Sequence, residues 1–141
     1  MKKVMVFGTF DILHPGHINF FRQARTLGDY LIAVVARDST VMRLKKKKPL
    51  FNEMQRLRHL RQVYLVNKVV LGNHVDSFAV IEKHKPDVIA LGYDQRHFAD
   101  HLVPELARRK LKIELVRLKA FKYHKYKSSI IRSSFDKARK K

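Results

Sequence analysis

Short apolar runs of strand length recur at Val4-Phe7, Leu31-Ala36, Lys68-Leu71, Val88-Leu91 and Ile113-Val116, and the segments between them carry apolar residues at helical spacing. Runs without polar alternation suit strands buried on both faces, so the pattern predicts five strands joined by helices. The first helix is expected from about Gly16 to Leu27, with Ile18, Phe21, Ala24 and Leu27 inward and Gly28 placed to end it. A second begins near Asn52, a capping residue, and carries Met54, Leu57, Leu60, Val63 and Tyr64. A third covers Phe78 to His84 and stops before Pro86, because the residue ahead of a proline is driven out of helical geometry. A fourth runs from about Leu102 to Arg109, and a last one follows Ser128-Ser129, whose hydroxyls can cap a helix start.

Strands alternating with helices imply right-handed crossovers and a doubly wound parallel sheet, most simply in the order 3-2-1-4-5, with helices on both faces. Ligands of such sheets bind beyond the carboxyl ends of the strands where the order reverses. Strands one and four flank that point. The segments that follow them, Gly8 to His17 and Gly92-Tyr93-Asp94-Gln95, are therefore expected to meet.

A chain of 141 residues with 45% hydrophobic composition supports one core and hence one domain over residues 1–141, with a C-terminal helix and basic tail from about residue 128. No apolar run is long enough for a membrane span and no secretory pattern opens the chain, so it is read as soluble and cytoplasmic. The absence of cysteine excludes disulfides, thiolate catalysis and Cys-ligated zinc, leaving oxygen or imidazole ligands for any metal. Lys and Arg number 31 against 12 acids, a formal +19 that attracts polyanions. Much of this charge sits in the block Lys45, Lys46, Lys47, Lys48, read as a loop, and in the segment from Arg117 to Lys141, whose single acid is Asp136. Lysines interleaved with aromatics in residues 117–127 leave a second class of function open, a basic nucleic-acid-binding protein on an α/β scaffold.

The residues Gly8-Thr9-Phe10-Asp11-Ile12-Leu13-His14-Pro15-Gly16-His17 outline a phosphate site. A strand that ends in a Gly turn and feeds a helix with Pro15 and Gly16 in its first turn is expected to expose unpaired backbone N–H groups at the positive end of the helix dipole. His14 and His17, three residues apart, project from one side of that helix start and add two donors.

These residues, together with Ser128-Ser129-Ile130-Ile131-Arg132, resemble the two signatures of the cytidylyltransferase-like branch of the nucleotidyltransferase superfamily. The resemblance covers nearly the whole chain. It implies a Rossmann-like domain that joins a nucleoside triphosphate to a phosphate or phospho-alcohol with loss of pyrophosphate, usually with Mg²⁺, in proteins that often form homodimers. His14, His17 and Arg132 would be the catalytic set, with the histidines stabilising charge between the α and β phosphorus atoms and Arg132 clamping the leaving pyrophosphate. Thr9, Phe10, Pro15, Gly16, Asp94, Tyr123, Ser128 and Ser129 would complete the nucleotide site: Thr9 and Phe10 through their backbone, Asp94 by accepting from ribose or base, Tyr123 or Phe121 by stacking on adenine, and the two serines by holding the β and γ phosphates. One of Lys45 to Lys48 would meet the triphosphate or the acceptor phosphate, with Asp38 in the same acceptor site. Asp11 or Asp38 would help the metal ion, unless Asp11 only braces its own turn.

Within the branch, Ala36-Arg37-Asp38-Ser39-Thr40, Lys48-Pro49 and Gly92-Tyr93-Asp94-Gln95 look more like archaeal-type FAD synthases, which adenylylate FMN with ATP. The alternative is a glycerol-3-phosphate cytidylyltransferase. That pattern has a Trp after strand four and an Arg-Thr-Glu-Gly sequence before the Ser-Thr pair, whereas this chain has no Trp and carries Phe121-Lys122-Tyr123-His124-Lys125-Tyr126-Lys127 there.

Overall fold

The structure, a computed structural model, describes residues 1–120. Phe121, Tyr123, Ser128, Ser129, Arg132, the last expected helix and the basic tail lie outside the described residues. Five parallel strands, β1 (Lys3–Gly8), β2 (Tyr30–Val35), β3 (Lys68–Leu71), β4 (Val88–Leu91) and β5 (Glu114–Arg117), form one sheet in the order β3-β2-β1-β4-β5. Helices α1 (Pro15–Arg25), α2 (Asp38–Lys45), α3 (Glu53–Arg61), α4 (Ala79–His84) and α5 (Arg96–Arg108) connect them. The expected strands and their order are all present.

Strand periodicity divides the core into two layers. Val4, Val6, Leu31, Ala33 and Val35 face Phe21 and Ala24 of α1 and Leu57 and Leu60 of α3. Met5, Ile32, Val34, Ile89 and Leu91 face Val80 and Ile81 of α4 and Ala99, Leu102 and Leu106 of α5. Each layer removes whole aliphatic side chains from water, worth about 1.5–3 kcal/mol apiece, and so clamps the central strands whose ends carry the site.

Local signals explain most helix ends. Asn52 closes a capping box with Gln55, each side chain accepting from the other residue's backbone N–H at 2.9 Å. Lys85, with φ 45°, ends α4 in the left-handed region just before Pro86. Gly28, by contrast, does not end α1: Thr26 is the C-cap, and its hydroxyl donates to the Gln23 carbonyl at 2.6 Å. Glycine is needed at position 28 because a Cβ would stand 2.6 Å from the Lys2 carbonyl oxygen.

Two segments depart from expectation. The stretch from Asp38 is a helix rather than part of a loop; it takes in Lys45 and stops at Lys46, whose φ of 61° is left-handed and whose N–H donates to the Met42 carbonyl at 3.0 Å. Helix α5 starts at Arg96, so Pro104 lies inside it and not in its first turn. A proline there costs one backbone hydrogen bond, which the buried stripe of Ala99, Leu102 and Leu106 outweighs. In α3 Leu57 and Leu60 are buried and Met54 is exposed, while Val63 and Tyr64, expected on this helix, lie beyond its end at Arg61.

Candidate active site

Beyond the carboxyl ends of β1 and β4, where the strand order reverses, lies a cleft of about 1270 Å³ bordered by Gly8, Thr9, Phe10, Gly92, Tyr93 and Asp94 together with His14, Gly16 and His17. The two loops singled out from the sequence thus meet. Gln95 ties them: its Nε2 donates to the Phe7 carbonyl at the end of β1 (2.7 Å), and its Oε1 accepts from the Gly92 N–H (2.8 Å).

The turn after β1 is built around Phe10, which takes φ 51° although it is not glycine. Its ring is buried, tilted on Phe21 at 5.4 Å and set edge-on to His17 at 5.7 Å. That ring covers Gly8, where a Cβ would come within 2.7 Å of it. A left-handed conformation costs a branched or bulky residue about 1–3 kcal/mol, and the buried ring contacts hold it in place.

His14 is the N-cap of α1, and its Nδ1 accepts the Gly16 N–H at 3.1 Å. This fixes the tautomer: with Nδ1 an acceptor, the neutral ring carries its proton on Nε2. The His17 ring lies against it, tilted by 32° with centroids 4.0 Å apart. Its Nδ1 is buried with no hydrogen-bond partner among the described residues, so Nε2 is the nitrogen left to serve the cleft. Burial lowers the pKa of His14; burial first, then charge repulsion from His14 when protonated and from Lys45, lowers that of His17 to about 3. Both imidazoles are therefore neutral donors near pH 7.

The backbone at this helix start differs from expectation. Pro15 has no N–H, the Gly16 N–H is taken by His14, and the His17 N–H donates to the His14 carbonyl at 2.9 Å. The donors presented to a ligand are thus the side chains rather than orphan amides. Pro15 itself is exposed on the outer side of the turn and does not border the cleft.

Of the four lysines in the basic block, Lys45 borders the cleft; Lys46, Lys47 and Lys48 are exposed and do not. The left-handed end of α2 turns the chain away after Lys45. Asp38 is engaged elsewhere: Oδ1 accepts from Arg56 at 2.7 Å and Oδ2 from the Glu53 N–H at 3.1 Å, while its own N–H donates to Glu53 Oε1 at 2.9 Å. Asp11 is buried and accepts the Leu50 and Phe51 N–H groups at 2.7 and 2.9 Å, so it braces the entry to α3. Neither carboxylate borders the cleft. Among the described residues no group of three or more His, Cys, Asp or Glu side chains is arranged to hold a metal ion.

Arg56 and Arg37 escaped sequence reasoning. The Arg56 guanidinium is fully buried and donates to the carbonyls of Thr9 (2.8 Å) and Phe51 (3.0 Å) as well as to Asp38, so one side chain fastens the histidine turn to α2 and α3. Its signal was an arginine falling beside Leu57 and Leu60 on the inward stripe of a predicted helix. Arg37, on the cleft wall, donates to the Gly72 carbonyl at 2.7 Å and to Glu53 at 2.8 Å. Despite its desolvation, the Glu53 carboxyl is held below its ordinary range by the Asp38 N–H and then by the Arg37 guanidinium. No helix among the described residues is long and apolar enough to cross a membrane.

The cytidylyltransferase-like family model matches residues 5–134. A FAD synthase of Ferroglobus placidus is 49% identical over 120 residues, spanning 85% of this chain and 78% of the relative. A FAD synthase of Methanosarcina barkeri is 48% identical over 84% of both chains. Among solved structures, one described as a lipopolysaccharide core biosynthesis protein from Thermoplasma volcanium superposes with a TM-score of 0.81 at 38% identity, covering 86% of this chain and 98% of that one.

Proposed function

The chain belongs to the cytidylyltransferase-like family, and from that premise we propose that it is an FMN adenylyltransferase, moving AMP from ATP to the phosphate of FMN and releasing pyrophosphate. The acceptor and the nucleotide follow the relatives named FAD synthase. The chemistry rests on one observation, the closely packed and neutral His14–His17 pair at the head of α1, beside the cleft.

A phosphate-monoester dianion is already a nucleophile, so the reaction needs placement and charge neutralisation more than a base. An oxygen of the FMN phosphate forms a bond to the α-phosphorus of ATP. The bond from that phosphorus to the bridging oxygen of the β-phosphate breaks in line, and its electron pair leaves with pyrophosphate. His14 and His17 donate from Nε2 to oxygens around the α and β phosphorus atoms, where preorganised donors are each worth a few kcal/mol, on the order of 3. Thr9, Phe10 and Gly16 form the floor of the nucleotide site, and Pro15 shapes the turn from outside. Lys45 is the lysine assigned to phosphate, and Lys46, Lys47 and Lys48 add only to the surrounding positive field. Asp94 accepts from a ribose hydroxyl or the base amine. Tyr123 at the adenine, Ser128 and Ser129 at the β and γ phosphates, and Arg132 at the leaving pyrophosphate complete the proposal on the strength of the family pattern.

The family normally uses a divalent metal ion. Asp11 and Asp38 are poor fits as its ligands, since each spends its oxygens on backbone amides or on Arg56. Mg²⁺ carried by the triphosphate itself fits this donor set better, because that ion prefers phosphate oxygens and water to imidazole.

Incubating the protein with Mg²⁺, ATP or CTP, and FMN or glycerol 3-phosphate decides the reading. Pyrophosphate release with formation of FAD is expected only for ATP with FMN. Turnover confined to CTP with glycerol 3-phosphate, or none in any combination, overturns it.

A further inference from the structure

On α5 two histidines, His97 and His101, stand one turn apart on the same side of the helix, and both border the cleft. The reaction above uses neither. Their Nε2 atoms lie 3.2 Å apart, with ring centroids at 4.5 Å and the planes at 81°. Both side chains are exposed, and their Nε2 atoms meet in an imidazole–imidazole hydrogen bond, which an ion bound to both nitrogens would replace.

We propose that His97 and His101 form a chelating site for a borderline divalent transition-metal ion such as Zn²⁺ or Ni²⁺. Histidines at i and i+4 of a helix can reach one ion through their imidazole nitrogens, and imidazole is a preferred ligand of zinc, nickel and copper. The separation fits: an ion at about 2.0–2.1 Å from each Nε2, with those atoms 3.2 Å apart, subtends an angle of about 100°, between the octahedral and tetrahedral values. The next residue at that spacing, Glu105, supplies no third ligand, because its carboxylate is held by Arg108 at 2.6 Å and Arg109 at 2.9 Å. Two protein ligands leave positions open on the cleft side, where water or a phosphate oxygen can complete the shell. The site differs in kind from that of the Mg²⁺ carried by the nucleotide, since Mg²⁺ takes oxygen ligands in preference to imidazole.

The test is calorimetric titration of the full chain, free of any affinity tag, with ZnCl2 at neutral pH in excess MgCl2. One Zn²⁺ per chain is expected in wild type, with affinity lowered about tenfold or more in both His97→Ala and His101→Ala and retained in His74→Ala, a histidine outside the pair. Addition of Ni²⁺ should broaden the imidazole NMR signals of His97 and His101 ahead of those of the other histidines. Absence of zinc binding in wild type, wild-type affinity in either alanine variant, or broadening that starts at other histidines overturns the site. Adenylyl transfer is not the readout, so failure here leaves the reaction assignment standing.

Discussion

The depressed pKa of His17 makes the stability of this protein depend on pH in a defined window. Burial, assisted by His14 and Lys45, takes the imidazole from 6.5 to about 3. The unfolded chain therefore binds a proton near pH 6.5 that the native protein refuses until about pH 3. Stability from this group is complete above pH 6.5 and is lost as pH falls toward 3. One pKa unit corresponds to about 1.36 kcal/mol, so the whole window is worth roughly 4–5 kcal/mol, and the part between pH 6.5 and 5 about 1.5–2 kcal/mol. His17→Gln keeps a donor near the Nε2 position and does not titrate. Urea unfolding of both proteins at these two pH values should show wild type losing about 1.5–2 kcal/mol more than the variant on acidification. Glu53, Asp76 and Glu105, whose carboxyls are held below their ordinary values, titrate in both proteins and cancel from the difference. Equal losses would refute the claim that His17 is neutral because it is buried.

Gly8→Ala should lower stability by about 1–3 kcal/mol through overpacking, because its Cβ would meet the Phe10 ring at 2.7 Å; thermal melting checks this, and an unchanged Tm would place the ring elsewhere. Arg56→Met should cost about 3–5 kcal/mol in denaturant unfolding, since it leaves the Thr9 and Phe51 carbonyls and Asp38 without their buried donor; a loss below about 1 kcal/mol would contradict the fastening role. Lys45→Ala should reduce kcat/KM for nucleotidyl transfer about tenfold or more while Lys47→Ala leaves it unchanged, because only the former borders the cleft; equal effects in steady-state kinetics would remove that distinction.

Strands are the most legible part of this chain. Val4-Phe7 and Val88-Leu91 are apolar without alternation because helices cover both faces of the sheet, and a run of that kind has few other ways to be buried. The start of α5 was not legible: Arg96 and His97 carry no capping signal, and Pro104 is a residue that disfavours a helix interior. Tertiary burial of Ala99 and Leu102 overrides both local preferences. Helix α2 was hidden for a similar reason, since its single buried residue, Val41, is too little to mark a periodic face.

By itself the sequence determined the five strands and their order, the glycine turn at the end of β1, and the two histidines at the helix start that follows it. These depend on neighbours within a few positions, or on handedness that every chain of L-residues shares. Tertiary structure alone decided which polar groups remain for a ligand. Asp11 is taken by amides 39 and 40 positions away, and Thr9 is held by Arg56 from 47 positions away. Lys45 is brought to the cleft, and both histidines are kept neutral by burial, His17 against Phe10. Hydrogen bonding and desolvation act through space across the folded sheet, and spacing along the chain carries no record of them.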